Sequence, residues 1–340
     1  MSDITAQTIF FKQLKEKIPA HLSMAEEIGD LLNISTDSAY RRIRGEKELS
    51  FTELQKIVTH FDESIDLALR SASDQEIRFR YNPLNSETFN LSDYISFAYE
   101  TVKNFAKNDS CEMIYAAKDI PIFHYFLTDE IAAFKIFVWQ KTLLDFPGFE
   151  DRLFSFDNID DKILTTGKKL LAEYNRFPSV ELWNLETIHS TLLQIEFYSE
   201  SELFQNPKDA LILLTKLEEY IHHIKSQAVH GYKFCIGQEK AASSGSLKMY
   251  YNEVILCDNT MLATIDDIKV SFLTHNALNF LTTTNARFCD TTEKYFASLI
   301  RRSSLISIDG EKQRNNFFAG LHARINKSKE KVLYMLKRFE

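Results

Sequence analysis

Glycine and proline are scarce, 9 and 6 among 340 residues. That disfavours a turn-dense β architecture and favours helices. Cysteine is rarer still. Cys111, Cys235, Cys257 and Cys289 lie far apart with no C-x-x-C, which excludes a zinc-ligand spacing or a small disulfide scaffold and predicts buried free thiols. No apolar run approaches the ~20 residues of a membrane span. The N-terminal M-S-D-I-T-A-Q-T-I-F-F-K-Q lacks the basic-then-apolar order of a signal peptide. A soluble, cytoplasmic chain with no membrane partner is expected. Positive charge is also in deficit: the formal net charge is -8, so phosphate binding requires a local basic patch. Neither a G-x-G-x-x-G nor a G-x-x-x-x-G-K-[ST] phosphate loop occurs, and S-S-G-S at Ser243–Ser246 reads as a connector rather than a G-x-S-x-G nucleophile elbow. No enzyme, cofactor or metal is expected.

Aromatic side chains, by contrast, are plentiful, with 27 Phe and 14 Tyr, and the length allows two or three domains. The predicted class is mainly α, in four parts. Residues 1–70 form a four- to five-helix domain, 71–90 a linker, 91–240 a mainly helical regulatory or dimerisation region, and 241–340 an α+β region. In the first part Ile9, Phe10, Leu14 and Ile18 recur at helical spacing before Pro19. Phe51, Leu54, Ile57, Val58 and Phe61 give a later helix with Ser50 as N-cap. Ile65, Leu67 and Leu69 add a short fifth piece. The polar stretch 71–90 carries turn residues and room for a short strand or extended arm.

Between them lies S-M-A-E-E-I-G-D-L-L-N-I-S-T-D-S-A-Y-R-R-I-R-G, Ser23–Gly45. It reads as two short helices joined by a tight turn. Gly29 gives the close crossing, Asn33 a turn position at positive φ, Ile34 a core plug and Ser35 a side-chain cap. Ala39 and Ile43 face inward. This order of residues resembles the Cro/C1-type (XRE-like) helix-turn-helix family, over roughly Thr5–Leu69. The resemblance implies that the second helix enters a DNA major groove, usually as a dimer on two half-sites. Thr36, Asp37, Tyr40 and Arg41 are then the base-reading candidates. Arg42, Arg44, Lys47 and Ser23 are then phosphate candidates, and Ser35 and Ser38 complete the expected DNA-binding set. Gly29 departs from the usual Ala at a cost of about 1 kcal/mol in helix propensity. Glu26, Glu27 and Asp30 make the first helix unfriendly to phosphate. The expected function is sequence-specific double-stranded DNA binding in transcriptional regulation, by a homodimer with a small-molecule or protein effector. The alternative is a protein-interaction scaffold.

Over the remainder, helices are expected at Asp93–Asn108, Thr128–Leu144, Asp160–Tyr174, Ser179–Phe197, Pro207–Val229, Asn276–Thr283, Thr291–Arg302 and Asn315–Phe339. Strands are expected at Met113–Ala117, Lys248–Cys257, Met261–Ile265 and Lys269–Leu273, the last three forming a small antiparallel meander. Glu218, Glu219, His222, His223 and His230 share one helix and read as a polar surface rather than a metal site. The aromatic stretches I-F-H-Y-F and F-K-I-F-V-W are core, or the lining of a ligand pocket with His124, Tyr125 and Trp139. The basic C-terminal helix carries Ile325, Val332, Leu333 and Leu336 on one side and reads as the last core helix or a partner-facing one.

Overall fold

The computed structural model describes residues 5–15, 18, 23–61, 77–81, 89–108, 110–158, 160–238, 241–254, 256, 258–275 and 278–337. The chain divides into two compact units, Met1–Glu76 and Ile77–Glu340. Among the described residues no helix is long and apolar enough to cross a membrane.

The first unit contains α1 (Ala6–Lys15), α2 (Met24–Leu32), α3 (Thr36–Ile43) and α4 (Phe51–His60). Phe10, Phe11, Leu14, Ala25, Ile28, Leu32, Ala39 and Ile57 form its core, with Ile34 and Ile43 packed against it. Asn33 closes α2 at φ 54, ψ 49, a left-handed conformation that Asn tolerates better than most residues. Gly29 sits at a close approach: a Cβ there would lie 3.1 Å from the Ile34 carbonyl oxygen, a tight contact. Ser50 and Glu53 form a reciprocal capping box that starts α4. The expected fifth piece at Ile65, Leu67 and Leu69, and the helix stop at Pro19, lie outside the described residues.

The second unit is built on a seven-stranded mixed sheet. Its strands are β1 (Cys111–Ala117), β2 (Ser179–Trp183), β3 (Leu247–Tyr251), β4 (Thr260–Ile265), β5 (Ile268–His275), β6 (Asn279–Thr283) and β7 (Ser304–Leu305). The spatial order is β6-β5-β4-β1-β2-β3-β7. The central β1, β2 and β3 run parallel, and every other neighbouring pair is antiparallel. Parallel neighbours need long crossovers, supplied here by helices. They are α6 (Asp129–Val138), continued by a π-turn at Trp139–Leu143, then α7 (Asp161–Tyr174), α8 (His189–Glu200) and α9 (Asp209–His230). α5 (Leu91–Phe105) precedes β1, while α10 (Ala286–Arg301) and α11 (Glu311–Leu336) flank β7.

Period-two alternation assigns the two faces. Met113, Tyr115, Ala117, Trp183 and Met249 join the main core with α5–α9 and α11. Ala116, Val180 and Leu182 face the opposite way, onto Cys289 and Phe296 of α10. Phe317, Phe318, Leu321, Ile325 and Val332 are buried, which makes α11 a core helix.

Several expectations are corrected. Ser179–Phe197 is not one helix. Its start is β2, which is buried on both faces and so shows no alternation of exposure. Asn279–Thr283 is strand rather than helix, because β5 offers it a full antiparallel partner. The strand expected over Lys248–Cys257 ends at Tyr251, where Asn252 accepts from the Val254 N–H and donates to Ser303. That strand pairs with β2 and β7 rather than with β4. The sheet draws strands from both sides of the expected 240/241 boundary, so residues 91–240 and 241–340 belong to one unit. Within the expected linker, Arg80 exchanges backbone hydrogen bonds with Thr282 on β6, 2.7 and 3.1 Å. Gly245, in the expected Ser-rich connector, is held tightly: its N–H donates to the Asn175 carbonyl at 2.7 Å. A Cβ on it would lie 2.1 Å from the Phe177 carbonyl oxygen.

Candidate functional site

α3 has a firm start and a divided surface. The Ser35 side chain accepts from the Ser38 N–H at 3.3 Å, which caps the helix. Ala39 and Arg42 point inward. Thr36, Asp37, Tyr40, Arg41 and Arg44 are exposed, as is Lys47 beyond the helix. Ser38 is half-buried, and its hydroxyl and carbonyl oxygens accept from Arg42 at 3.2 Å. Ser23 stands at the N-cap of α2 with extended backbone and no side-chain cap bond. Thus Thr36, Asp37, Tyr40, Arg41 and Arg44 share one solvent-facing surface, which Ser23, Ser35 and Ser38 flank.

Arg42 is not a surface cation. It is 4% exposed and donates to Glu53 Oε1 at 2.6 Å, so it pins α3 to the first turn of α4. Glu53 is held below its ordinary range first by that hydrogen bond and then, against the effect of burial, by the Ser50 N–H. Gln7 completes the brace. Its amide donates to the Arg42 and Lys47 carbonyls, each at 2.7 Å, and accepts from the Leu49 N–H. The expectation that Arg42 meets phosphate is therefore corrected: the guanidinium is itself buried and paired with Glu53 beneath the surface, out of reach of a polyanion outside. Arg44 is also engaged, but at the surface, by Glu46 at 2.7 and 3.2 Å. Arg41 lies 3.9 Å from the same carboxylate. Such exposed pairs are worth under about 1 kcal/mol and exchange readily.

The second unit holds a buried charged centre. Alternation along β2 turns Glu181 into the main core, where it is 1% exposed. His124 Nε2 donates to it at 2.9 Å, the Tyr174 hydroxyl at 2.6 Å and the Trp183 indole at 2.7 Å. Burial alone would raise the Glu181 carboxyl, but His124 and the other donors outweigh it and hold it at about 2. Lys233, fully buried, has no hydrogen-bond partner for its Nζ among the described residues. That group sits 3.7 Å from the Tyr174 ring centroid. Burial pushes Lys233 down to about 7, against the pull of Glu181. Lys135 is likewise buried, donating to Gln194 at 2.8 Å with Asp119 at 3.8 Å. Sequence reasoning missed Glu181, Lys135 and Lys233. The available signal was a lone charge inside an apolar run: V-E-L-W, F-K-I-F and Y-K-F.

His124, Tyr125 and Trp139 are core residues. His124 is spent on Glu181, and Tyr125 packs edge-on against Trp139 at 5.8 Å. They line neither of two surface clefts. One, of about 590 Å3, is an open groove beside Glu218, His222 and His322. There Glu218 is taken by Lys329 at 2.6 Å, and His223 donates to the Phe234 carbonyl at 2.8 Å. Among the described residues no group of three His, Cys, Asp or Glu is placed to hold a metal ion. The other cleft, of about 170 Å3, opens where β2 and β3 end, beside Asn184, Tyr251, Asn252 and Arg324.

Compared with known proteins, the chain matches no family model, no curated protein and no solved structure.

Proposed function

We propose that the chain is a helix-turn-helix DNA-binding regulator in which the outer face of α3 reads a duplex. The observation that carries this is the arrangement at α2–α3. A left-handed Asn33 turn and a close-packed Gly29 hold a capped helix whose free face presents Thr36, Asp37, Tyr40 and Arg41, with Arg44 and Lys47 beside it. A short helix with side chains of this kind suits base edges, and flanking cations suit phosphates. One such unit covers few base pairs, so two copies on half-sites one helical turn apart are the working form. The second unit then supplies dimerisation and effector response.

The test is selection of duplexes from random sequence with the full chain. Arg41→Ala is expected to weaken binding to the selected duplex about 5- to 150-fold, the worth of a bidentate base contact. Glu46→Gln, which releases Arg44 and Arg41, is expected to strengthen it and steepen its salt dependence. No enriched duplex, or full affinity in Arg41→Ala, refutes the reading. A protein-binding reading has one observation in its favour. Glu46 and Asp37 act on Arg44, and Glu46 also on Arg41, so the surface carries both signs. It gains if the selection fails while alanine substitutions on the α3 face abolish capture of a specific protein.

A further inference from the structure

The smaller cleft is built at the carboxyl ends of two adjacent parallel strands, where open α/β sheets commonly bind ligands. Trp183 and Tyr251 are register partners at the ends of β2 and β3. The next residues, Asn184 and Asn252, are buried at 4% and 0%, and the Asn252 N–H donates to the Trp183 carbonyl at 2.8 Å. These amides form the floor. One wall is Tyr251, its ring tilted against Phe317 at 4.8 Å between centroids. α11 closes the other side, with Gly320 packed against the Leu185 side chain: a Cβ there would stand 2.8 Å from Leu185 Cδ2. One turn further on, α11 places Arg324 over the cleft. Its Nη2 donates to Glu186 Oε1 at 2.8 Å. A guanidinium has five donors, and among the described residues this is the one side-chain bond it makes. Glu186 and Glu253 line the same cleft as Arg324, so charges of both signs border it.

We infer that this cleft binds a small zwitterion of the α-amino acid class, its carboxylate on Arg324 and its ammonium between Glu186 and Glu253. A simple anion would meet two carboxylates, and a simple amine would meet the guanidinium; a molecule carrying both charges a few ångströms apart satisfies each side. The cleft, of about 170 Å3, has room for the ammonium and carboxylate of one small molecule, and its open side leaves the side chain facing solvent. The inference concerns the second unit alone and needs no DNA. It goes beyond the regulatory reading by naming an effector chemistry.

The experiment is calorimetric titration of the full chain with each of the twenty L-amino acids, with ethylamine and propionate as single-charge probes. One or more amino acids should bind, and neither single-charge probe should bind comparably. Arg324→Gln should weaken binding at least tenfold. Glu253→Gln, at an exposed position, should weaken it at least threefold while leaving thermal unfolding unchanged. Binding by no amino acid, equal binding of ethylamine or propionate, or full affinity in Glu253→Gln overturns the inference. Because duplex binding is measured separately, failure here leaves the α3 reading standing, and the reverse also holds.

Discussion

Replacing Lys233 with Met should stabilise the protein at neutral pH and do nothing at high pH. The lysine ammonium is sealed in the core, with aromatic faces for company and no hydrogen-bond acceptor among the described residues. Burial moves its protonation from the ordinary 10.5 to about 7, a penalty on the folded state on the order of 5 kcal/mol below pH 7. Between about pH 7 and 10.5 the unfolded chain holds a proton that the folded chain has released, so stability rises with pH and the penalty fades. Methionine fills a similar volume without charge. It forfeits the cation–π contact with Tyr174, worth about 2 kcal/mol when desolvated. The net gain is therefore about 2–3 kcal/mol at pH 7 and about zero at pH 10. For a unit of this size that is roughly 4–10 °C in Tm. The chain's two tryptophans, Trp139 and Trp183, are both buried in the second unit. Urea unfolding followed by tryptophan fluorescence at pH 6 to 10 thus reads this unit alone. A Met variant whose advantage does not change with pH, or which is weaker at pH 7, would refute the reasoning.

Other outcomes follow from the same structure. Arg42→Met should cost the first unit about 1–3 kcal/mol by leaving Glu53 without its cation, measured by helical circular dichroism on heating; Arg41→Ala should leave that transition in place. Glu181→Gln should destabilise the second unit by about 3 kcal/mol, since three donors then face a neutral amide. Glu181 is depressed to about 2, so its contribution is complete above pH ~4.5 and is lost as pH falls through 2. The Gln variant should therefore show a shallower acid loss by fluorescence. Gly245→Ala should cost at least 2 kcal/mol, because a Cβ would strike the Phe177 backbone, again by urea titration.

The sequence was most readable where structure is local. Ser50 caps α4, and Asn33 occupies the left-handed turn, because those choices depend on residues a few positions away. The four described helices of the first unit carry their own periodicity. β2 shows where this fails. Five residues with a glutamate at the centre look like part of a helix until His124, 57 positions earlier, is folded against it. Lys233 left only a weak signal, a lone charge between two aromatics, since Tyr-Lys-Phe describes an exposed lysine just as well as a buried one. Arg42 was misread for a related reason. Its role depends on Glu53, which sits on another helix and also serves that helix's cap. At the smaller cleft, Asn184, Tyr251 and Arg324 come from elements far apart in sequence, and no local pattern joins them.

The order in which the sheet is wound has a consequence for biosynthesis. β1 lies between β2 and β4, yet β4 begins about 140 residues after β1 ends. A ribosome adding 5–20 residues per second delivers β4 roughly 7–30 s later. For that interval the hydrogen-bonding flank of β1 has no antiparallel partner, although β2 emerges sooner. A nascent chain stalled between Ala117 and Thr260 should accordingly be a client for strand-capping chaperones, and shedding that client status should coincide with emergence of residues 260–265.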